Sequence, residues 1–400
     1  MKLYEYIKSE DTRTAKLLGF PVMEQTSDYM TAERYQSFLG GIITTIKASS
    51  SNYSSKKDIK LFGMSVIKRI EENGYRNYYA FGKKFRNVLL ADEFKKQYFK
   101  YFDPKHDDIY ILKANSGEIY LILTYIINSL IKRNNSKTPL LVATHKYHAD
   151  IIKMICPDIP YVLIDRLVIK IPEDSFKIDN FRFITLFSQP YFLGVEEAIN
   201  SSKLGHIHYF NYILKYLNIS PDDIEMNKIN ILPQAEKSML EKVNKMGLNL
   251  DKFVFLAPEA KSCKLYDEDF WCELIKRLQD KGYDVFVNSV DSEVKLNTAS
   301  DFKTCYLTFA EAFALAKRAK KIVSLRSGFT EFLLQTGVPM DVLYTKFRKR
   351  HFFDDIDCYH VMSGFGLTCL PFVHKDKLRE FNMFEISQKE CLERIVEIGN

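Results

Sequence analysis

Two glycine turns, some two hundred residues apart, carry side chains able to handle an anionic substrate. Asn115-Ser116-Gly117-Glu118 and Leu325-Arg326-Ser327-Gly328 each follow an apolar run and open a helical pattern. The first N–H groups of a helix lack intrahelical partners and carry the positive end of its dipole. A small Ser-Gly turn there lets a phosphate approach closely. Arg326 adds a planar fork of donors. An ordinary strand-to-helix connection has the same composition, so the second turn alone supports both readings equally. Glu331, three residues past Gly328, suits a ribose hydroxyl pair as well as it suits a plain helix cap.

Two histidine pairs are weaker candidates. His145-Lys-Tyr-His148 brings two imidazoles together without a nearby carboxylate or cysteine, which leaves a metal site short of ligands. His206-Ile-His208-Tyr209 opens an aromatic-rich helical stretch, where the pair either lines an acceptor surface or packs with partial exposure. Arg348-Lys-Arg-His351 follows a strand and is either a phosphate contact or a solvated charge run. No GxxxxGK[ST], GxGxxG or GxSxG element is present, which argues against a P-loop enzyme, a standard dinucleotide enzyme and a serine hydrolase.

The elements that must hold these residues alternate from Asp108 onward. Short apolar runs over Ile109–Lys113, Pro139–Ala143, Tyr161–Ile164 and Phe183–Phe187 predict buried strands, with helices over Glu118–Lys132 and His148–Ile155. Ser220 to Pro233 reads as a connector. Strands then recur at Lys252–Ala257, Asp284–Asn288, Ile322–Leu325 and Val338–Tyr344, with helices over Asp267–Asp280, from the capping box Thr308-Phe-Ala-Glu311, and after Gly328. Strand–helix alternation implies parallel sheets covered by helices, which bind ligands beyond the carboxyl ends of their strands. A helix is also predicted over Ser387–Ile398.

Length and charge set the frame. The 400 residues are too many for one ordinary core, and 46% apolar with 27% charged residues describes a folded chain. Predicted domains are 1–107, 108–230 and 231–400. The net charge of +6 is local: residues 1–107 hold 19 Lys and Arg against 13 Asp and Glu, and the remainder balances at 38 each. Within that first domain, helices are predicted over Thr31–Lys47 and Asp92–Tyr101 around a Ser-rich spacer. Lys60-Leu-Phe-Gly-Met-Ser-Val-Ile-Lys-Arg69 and Tyr79-Ala-Phe-Gly-Lys-Lys-Phe-Arg86 form a degenerate repeat there, Phe-Gly followed by clustered Lys and Arg. Cations with interleaved aromatics suit an anionic lipid surface, whereas a hairpin edge guarded by lysines has the same composition. No nucleic-acid motif accompanies them. Seven scattered cysteines without a CxxC pair read as reduced thiols, no run spans a bilayer, and the start has no apolar core of leader length. The sequence therefore predicts a cytoplasmic chain, peripheral on a membrane at most.

The two-domain pattern and three short motifs resemble the GT-B glycosyltransferases, most closely the heptosyltransferase-like family (glycosyltransferase family 9) that builds bacterial lipopolysaccharide cores. In that family a Gly-Asp turn opens the first helix, its Asp the proposed general base; Gly117-Glu118 stands in that place. The family's first C-domain strand leads to a polar loop with a Lys and then a Trp. Leu256-Ala-Pro-Glu-Ala-Lys-Ser-Cys-Lys264 followed by Trp271 matches it. Its Asp-Ser/Thr-Gly turn with a His beyond resembles Arg326-Ser327-Gly328 and Glu331. The likeness covers residues 108 to about 345 and rests on order and spacing.

The resemblance implies two doubly wound Rossmann-like domains facing across a cleft, here with an N-terminal, mostly helical basic extension. It implies transfer of a sugar from a nucleotide donor to a bacterial surface-glycan or lipid-linked acceptor, inverting and without a metal or other cofactor. Lys264 would lead the charge stabilisation on the departing diphosphate, with Lys261, Ser262, Arg326, Ser327 and Gly328 around it. Glu118 would accept the acceptor's proton, with Ser116, Gly117, His206 and His208 on the acceptor side. As structural alternatives, Glu118 is a first-turn acid favoured by the dipole and Lys264 a solvated lysine before a helix. Arg326 replaces a family acid and Glu331 a family histidine, so the donor's identity does not carry over. A nucleotide-sugar 2-epimerase of the same fold and a non-catalytic glycan- or lipid-binding scaffold are the alternative functions. In proteins of this shape the C-terminal helix often crosses back onto the first domain.

Overall fold

The computed structural model describes residues 4–8, 12–17, 20–28, 33–39, 42–49, 55–72, 75–165, 167, 169, 175–186, 208–260, 263–289, 302–346, 358–371 and 373–397. Lys261, Ser262, His206 and Arg348 to His351 lie outside the described residues. Packing divides the chain into two compact units, residues 1–106 with 167–193 and residues 107–166 with 194–400.

The first unit is built of strands, where the sequence predicts mostly helix. It contains β1 (Tyr4–Lys8), β2 (Thr12–Leu17), β3 (Phe20–Asp28), β4 (Glu33–Phe38), β5 (Ile43–Ser49), β6 (Ser55–Leu61), β7 (Met64–Glu72), β8 (Tyr75–Ala80) and β9 (Lys83–Leu89). Each pairs antiparallel with the next in a nine-stranded meander. The helix predicted over Thr31–Lys47 is thus β4 and β5. Local chemistry favours the strands: Ile43-Thr-Thr-Ile-Lys-Ala-Ser49 is rich in β-branched residues, and two glycines precede it in the sequence. Many side chains on both faces are only half-buried, so the two-residue alternation that marks a one-sided sheet is faint in the sequence.

The helix predicted over Asp92–Tyr101 is present as α1 (Leu90–Tyr98) with a 3₁₀ turn to Tyr101. The buried Arg76 guanidinium of β8 binds Glu71 at 2.6 Å and both carboxylate oxygens of Glu93 on α1, which fixes the helix to the meander. Phe94 packs within 5.5 Å of Phe176 and 5.1 Å of Phe183. Those rings belong to the antiparallel hairpin β13 (Ser175–Ile178) and β14 (Phe181–Leu186), a piece the sequence places in the next domain.

The second unit carries the strand–helix alternation. β10 (Asp108–Leu112), β11 (Leu140–Ala143) and β12 (Tyr161–Leu163) pair in parallel. Between them run α2 (Ser116–Leu121), a π-helical turn (Ile122–Ile126), α3 (Ile127–Arg133) and α4 (Lys146–Ile155). The π turn has a cause: the connector residue Asn227 bonds the freed carbonyls, its N–H on Thr124 O and its Nδ2 on Leu123 O, both at 2.8 Å.

After α5 (Tyr209–Tyr216) and α6 (Pro233–Lys245), a second all-parallel sheet forms from β15 (Phe253–Ala257), β16 (Asp284–Val287), β17 (Lys321–Leu325), β18 (Met340–Tyr344) and β19 (Leu378–Asn382), in the order β16-β15-β17-β18-β19. Its helices are α7 (Glu268–Asp280), α8 (Phe309–Ala316), α9 (Gly328–Leu333), α10 (Cys358–Phe365) and α11 (Gln388–Ile395). Parallel pairing with intervening helices is thus the α/β plan the sequence predicts, and among the described residues the C-terminal sheet lays parallel strands on both sides of its first strand. α11 departs from expectation by staying on its own sheet, where Lys321 Nζ binds Ile395 O at 2.5 Å and Arg379 donates to Arg394 O at 2.7 Å. Among the described residues no helix is long and apolar enough to cross a membrane.

Candidate functional site

The C-terminal sheet reverses direction at one place. The chain goes from β15 outward to β16, then returns to lay β17 on the other side of β15. The carboxyl ends of β15 and β17 therefore flank a topological switch point, where open parallel sheets bind ligands. Ala257 and Leu325 end those strands. The loops leaving them lead to Lys264 and to Arg326-Ser327-Gly328.

The Lys264 segment is held by its backbone. Its N–H donates to Lys346 O at 2.7 Å, and its carbonyl accepts from Thr345 Oγ1 at 2.6 Å. The side chain itself is exposed. Trp271 is wholly buried on α7 and serves the core.

The second turn is organised by hydroxyls. Ser327 Oγ caps α9 by accepting from Thr330 N at 3.3 Å, and Thr330 Oγ1 returns to accept from Ser327 N at 3.1 Å. Thr330 Oγ1 also donates to Leu325 O and lies 2.8 Å from Ser324 Oγ. The Ser-x-x-Thr spacing of Ser327 and Thr330 is the sequence signal for this cap.

Arg326 is buried and directed into the protein. Nε donates to Phe365 O at 3.1 Å, Nη1 to Ser327 O at 2.7 Å and Nη2 to Glu331 Oε1 at 2.5 Å. Each guanidinium nitrogen therefore already has an acceptor, so an incoming phosphate would have to compete for the fork. Glu331 is correspondingly an ion-pair partner, where the sequence offers a ribose contact or a cap. Burial raises its carboxyl pKa, opposed by the Arg326 charge and hydrogen bond.

The first glycine turn meets this second one directly. A Cβ at Gly328 would lie 2.6 Å from Gly117 N and 3.1 Å from Ser116 Oγ. One at Gly117 would lie 2.9 Å from Gly328 Cα and strike Glu331 Oε2. The space beside Gly328 that the sequence assigns to an anion is thus taken here by Gly117 and Ser116. Behind the contact, Tyr120 packs on Phe332 at 5.8 Å and its hydroxyl lies 3.2 Å from Tyr125.

Glu118 is half-buried at the same junction. Burial raises its pKa, the Glu331 carboxylate adds to the rise, and Asn115, whose Nδ2 lies 3.5 Å from Oε1, offsets part of it. An upward shift makes this carboxylate a stronger base than an ordinary one, the direction that general-base chemistry favours.

His148 and His208 serve structure. His148 is fully buried, accepting from Thr144 N at Nδ1 and donating to Ala114 O from Nε2, and burial depresses its pKa to about 4. With both nitrogens engaged it is not a ligand in waiting. His208 caps α5 by accepting from Phe210 N at 3.2 Å and donates to Gly366 O at 2.9 Å. It is buried, its pKa held near 4 first by burial, so it does not line an open acceptor surface. Its partner Gly366 follows Phe365, whose carbonyl holds Arg326. Glu380 fixes the same turn by accepting from Leu367 N at 2.7 Å and Thr368 N at 3.2 Å. Glu380 and Phe365 had no spacing signal in the sequence.

No family model matches the sequence, and neither does any curated protein. Solved structures do resemble the fold. A family 9 glycosyl transferase from Veillonella parvula is 12% identical, covering 74% of this chain and 90% of its own with a TM-score of 0.45. The ADP-heptose lipopolysaccharide heptosyltransferase II of E. coli is 13% identical, covering 72% and 97% with a TM-score of 0.44. The iron-containing dodecameric glycosyltransferase TibC from enterotoxigenic E. coli is 12% identical, covering 85% and 74% with a TM-score of 0.38. At these identities and scores the likeness assigns no activity.

Proposed function

We propose that the second unit is a nucleotide-sugar-dependent glycosyltransferase that passes a sugar to a surface-glycan or lipid-linked acceptor reached at a membrane. The observation that supports this reading is the meeting of Glu118, on the first sheet's opening helix, with the switch-point turn Arg326–Glu331 of the second. A carboxylate with a raised pKa beside strand ends that flank a switch point is what an acceptor base and a departing nucleotide require. Lys264, exposed on the loop that leaves β15, would neutralise the departing diphosphate. Glu118 would take the proton of the attacking hydroxyl, and attack on the face opposite the leaving group gives inversion. Because Gly117 and Ser116 fill the space at Gly328, substrate entry would require the two turns to separate.

Thermal melting with UDP, GDP, ADP and CMP derivatives tests the reading. A nucleotide at a hundred times its dissociation constant should stabilise the fold by about 2.7 kcal/mol, and Lys264→Ala should remove most of that shift. No shift with any of them would favour the non-catalytic scaffold. Conversion of a sugar nucleotide without acceptor would favour the epimerase.

A further inference from the structure

The turns joining β2–β3, β4–β5, β6–β7 and β8–β9 all leave the meander on one rim, because alternate turns of an antiparallel meander share a side. The rim is chemically one-sided. Residues 15–22, 37–44, 59–66 and 79–86 contain Lys16, Lys60, Lys83, Lys84 and Arg86 and not one Asp or Glu. The opposite rim is mixed: its turns lie beside Asp28, Glu33, Glu71 and Glu72 but also beside Lys8, Arg34, Lys47, Lys56 and Arg76.

The apex of the basic rim is apolar and conformationally costly. Leu39, Phe62 and Phe81 have φ of 52°, 47° and 48°, the left-handed region that bulky side chains avoid. Followed by Gly63 and Gly82 at φ of 80° and 79°, the last two form tight turns that ordinarily take Asn-Gly. Their side chains gain no burial in return: Leu39 is 58% exposed, Phe62 70%, Phe81 80%, and the neighbouring Met64 72%. The tips form a continuous row, with Phe62 N donating to Ile42 O at 2.8 Å across adjacent turns. From the β4–β5 turn to the β8–β9 turn the row spans roughly 19 Å, four strand spacings.

We propose that this rim docks on an anionic lipid bilayer, its Leu, Phe and Met apices entering the headgroup boundary while the lysines set behind them meet lipid phosphates. This deepens the transferase reading by naming the surface that would bring a lipid-linked acceptor within reach. The apolar apex favours a bilayer over a nucleic acid, which offers phosphates and bases but no apolar layer for Leu39 and Met64. Acid-free cations behind that apex favour anionic over neutral lipid.

Sedimentation of the full chain with phosphatidylcholine vesicles, with and without phosphatidylglycerol, is the test. Binding is expected only with phosphatidylglycerol and should weaken with added salt. Lys60→Ala, Lys83→Ala and Lys84→Ala together should lower partitioning on the order of a hundredfold. Phe62→Asn with Phe81→Asn should also lower it while keeping or raising thermal stability, since Asn-Gly suits these turns better than Phe-Gly. The proposal fails if the wild type ignores phosphatidylglycerol vesicles or if either variant binds as well as the wild type. It fails also if light scattering shows a self-associated chain that Phe62→Asn with Phe81→Asn dissociates. Nucleotide melting shifts are read without vesicles. A chain that binds nucleotide but not vesicles defeats this proposal alone, and one that binds vesicles but no nucleotide defeats the transferase reading alone.

Discussion

Gly117 and Gly328 touch through their backbones, so that a methyl group on Gly328 would stand 2.6 Å from Gly117 N and 3.0 Å from Gly117 Cα. Neither obstacle is a flexible side chain that could swing away. Gly328→Ala should therefore destabilise the second unit by about 1–3 kcal/mol, the usual range for forcing a methyl into a packed contact. The urea midpoint measures it. An unchanged midpoint would mean that the two turns do not meet in solution.

Glu118 is the group on which transfer should depend most. Replacing it with Gln keeps its size and removes its basicity, so turnover should fall roughly a hundredfold or more, with nucleotide melting shifts preserved. A base works deprotonated, and burial with the nearby Glu331 charge raises this carboxyl above its ordinary value. The rate should thus decline as pH falls through that raised pKa, and the acid limb should vanish with Glu118→Gln. Normal turnover by the variant would remove Glu118 from the role.

How much of this was legible in the sequence depends on the element. The strands ending at Leu112, Ala257 and Leu325 could be read because both faces of a parallel sheet are buried, which leaves continuous apolar runs in the chain. The capping box at Thr308 and Glu311 could be read because it is local, and the structure contains it. The meander could not, because half-exposed faces such as that of Lys56 to Lys60 blur the alternation of two. The site divides in the same way. Ser116-Gly117-Glu118 and Arg326-Ser327-Gly328 were visible as turns. That Gly117 would fill the space beside Gly328, or that the Phe365 carbonyl would claim the Arg326 Nε, depends on folding that brings distant segments together.

His208 makes stability depend on acidity. Its pKa falls from 6.5 to about 4 in the fold, chiefly because it is buried. Between those values the unfolded chain takes up a proton that the folded chain refuses, so stability is full above about 6.5 and is lost as pH drops toward 4. Asn at this position can still cap α5 but does not titrate. The difference in melting temperature between wild type and His208→Asn should shrink as pH is lowered from 7 to the low end of that window. A constant difference would show that His208 is not buried neutral. His148, held near 4 for the same reason, contributes its own loss to both proteins and cancels in the comparison.

Arg326 and Glu331 separate pairing from mere burial. Arg326→Met should cost about 3–5 kcal/mol, since it leaves the Glu331 carboxylate buried without its cation. That carboxylate has little else to turn to: its Oε2 has no hydrogen-bond partner among the described residues and faces the Gly117 backbone. Adding Glu331→Gln removes the stranded charge, so the double variant should be more stable than Arg326→Met alone. Urea unfolding of the wild type, both single variants and the double variant gives the coupling directly. Strictly additive losses would mean that the ion pair does not govern this turn. The Phe365 and Ser327 carbonyls would then be the contacts that hold the arginine in place.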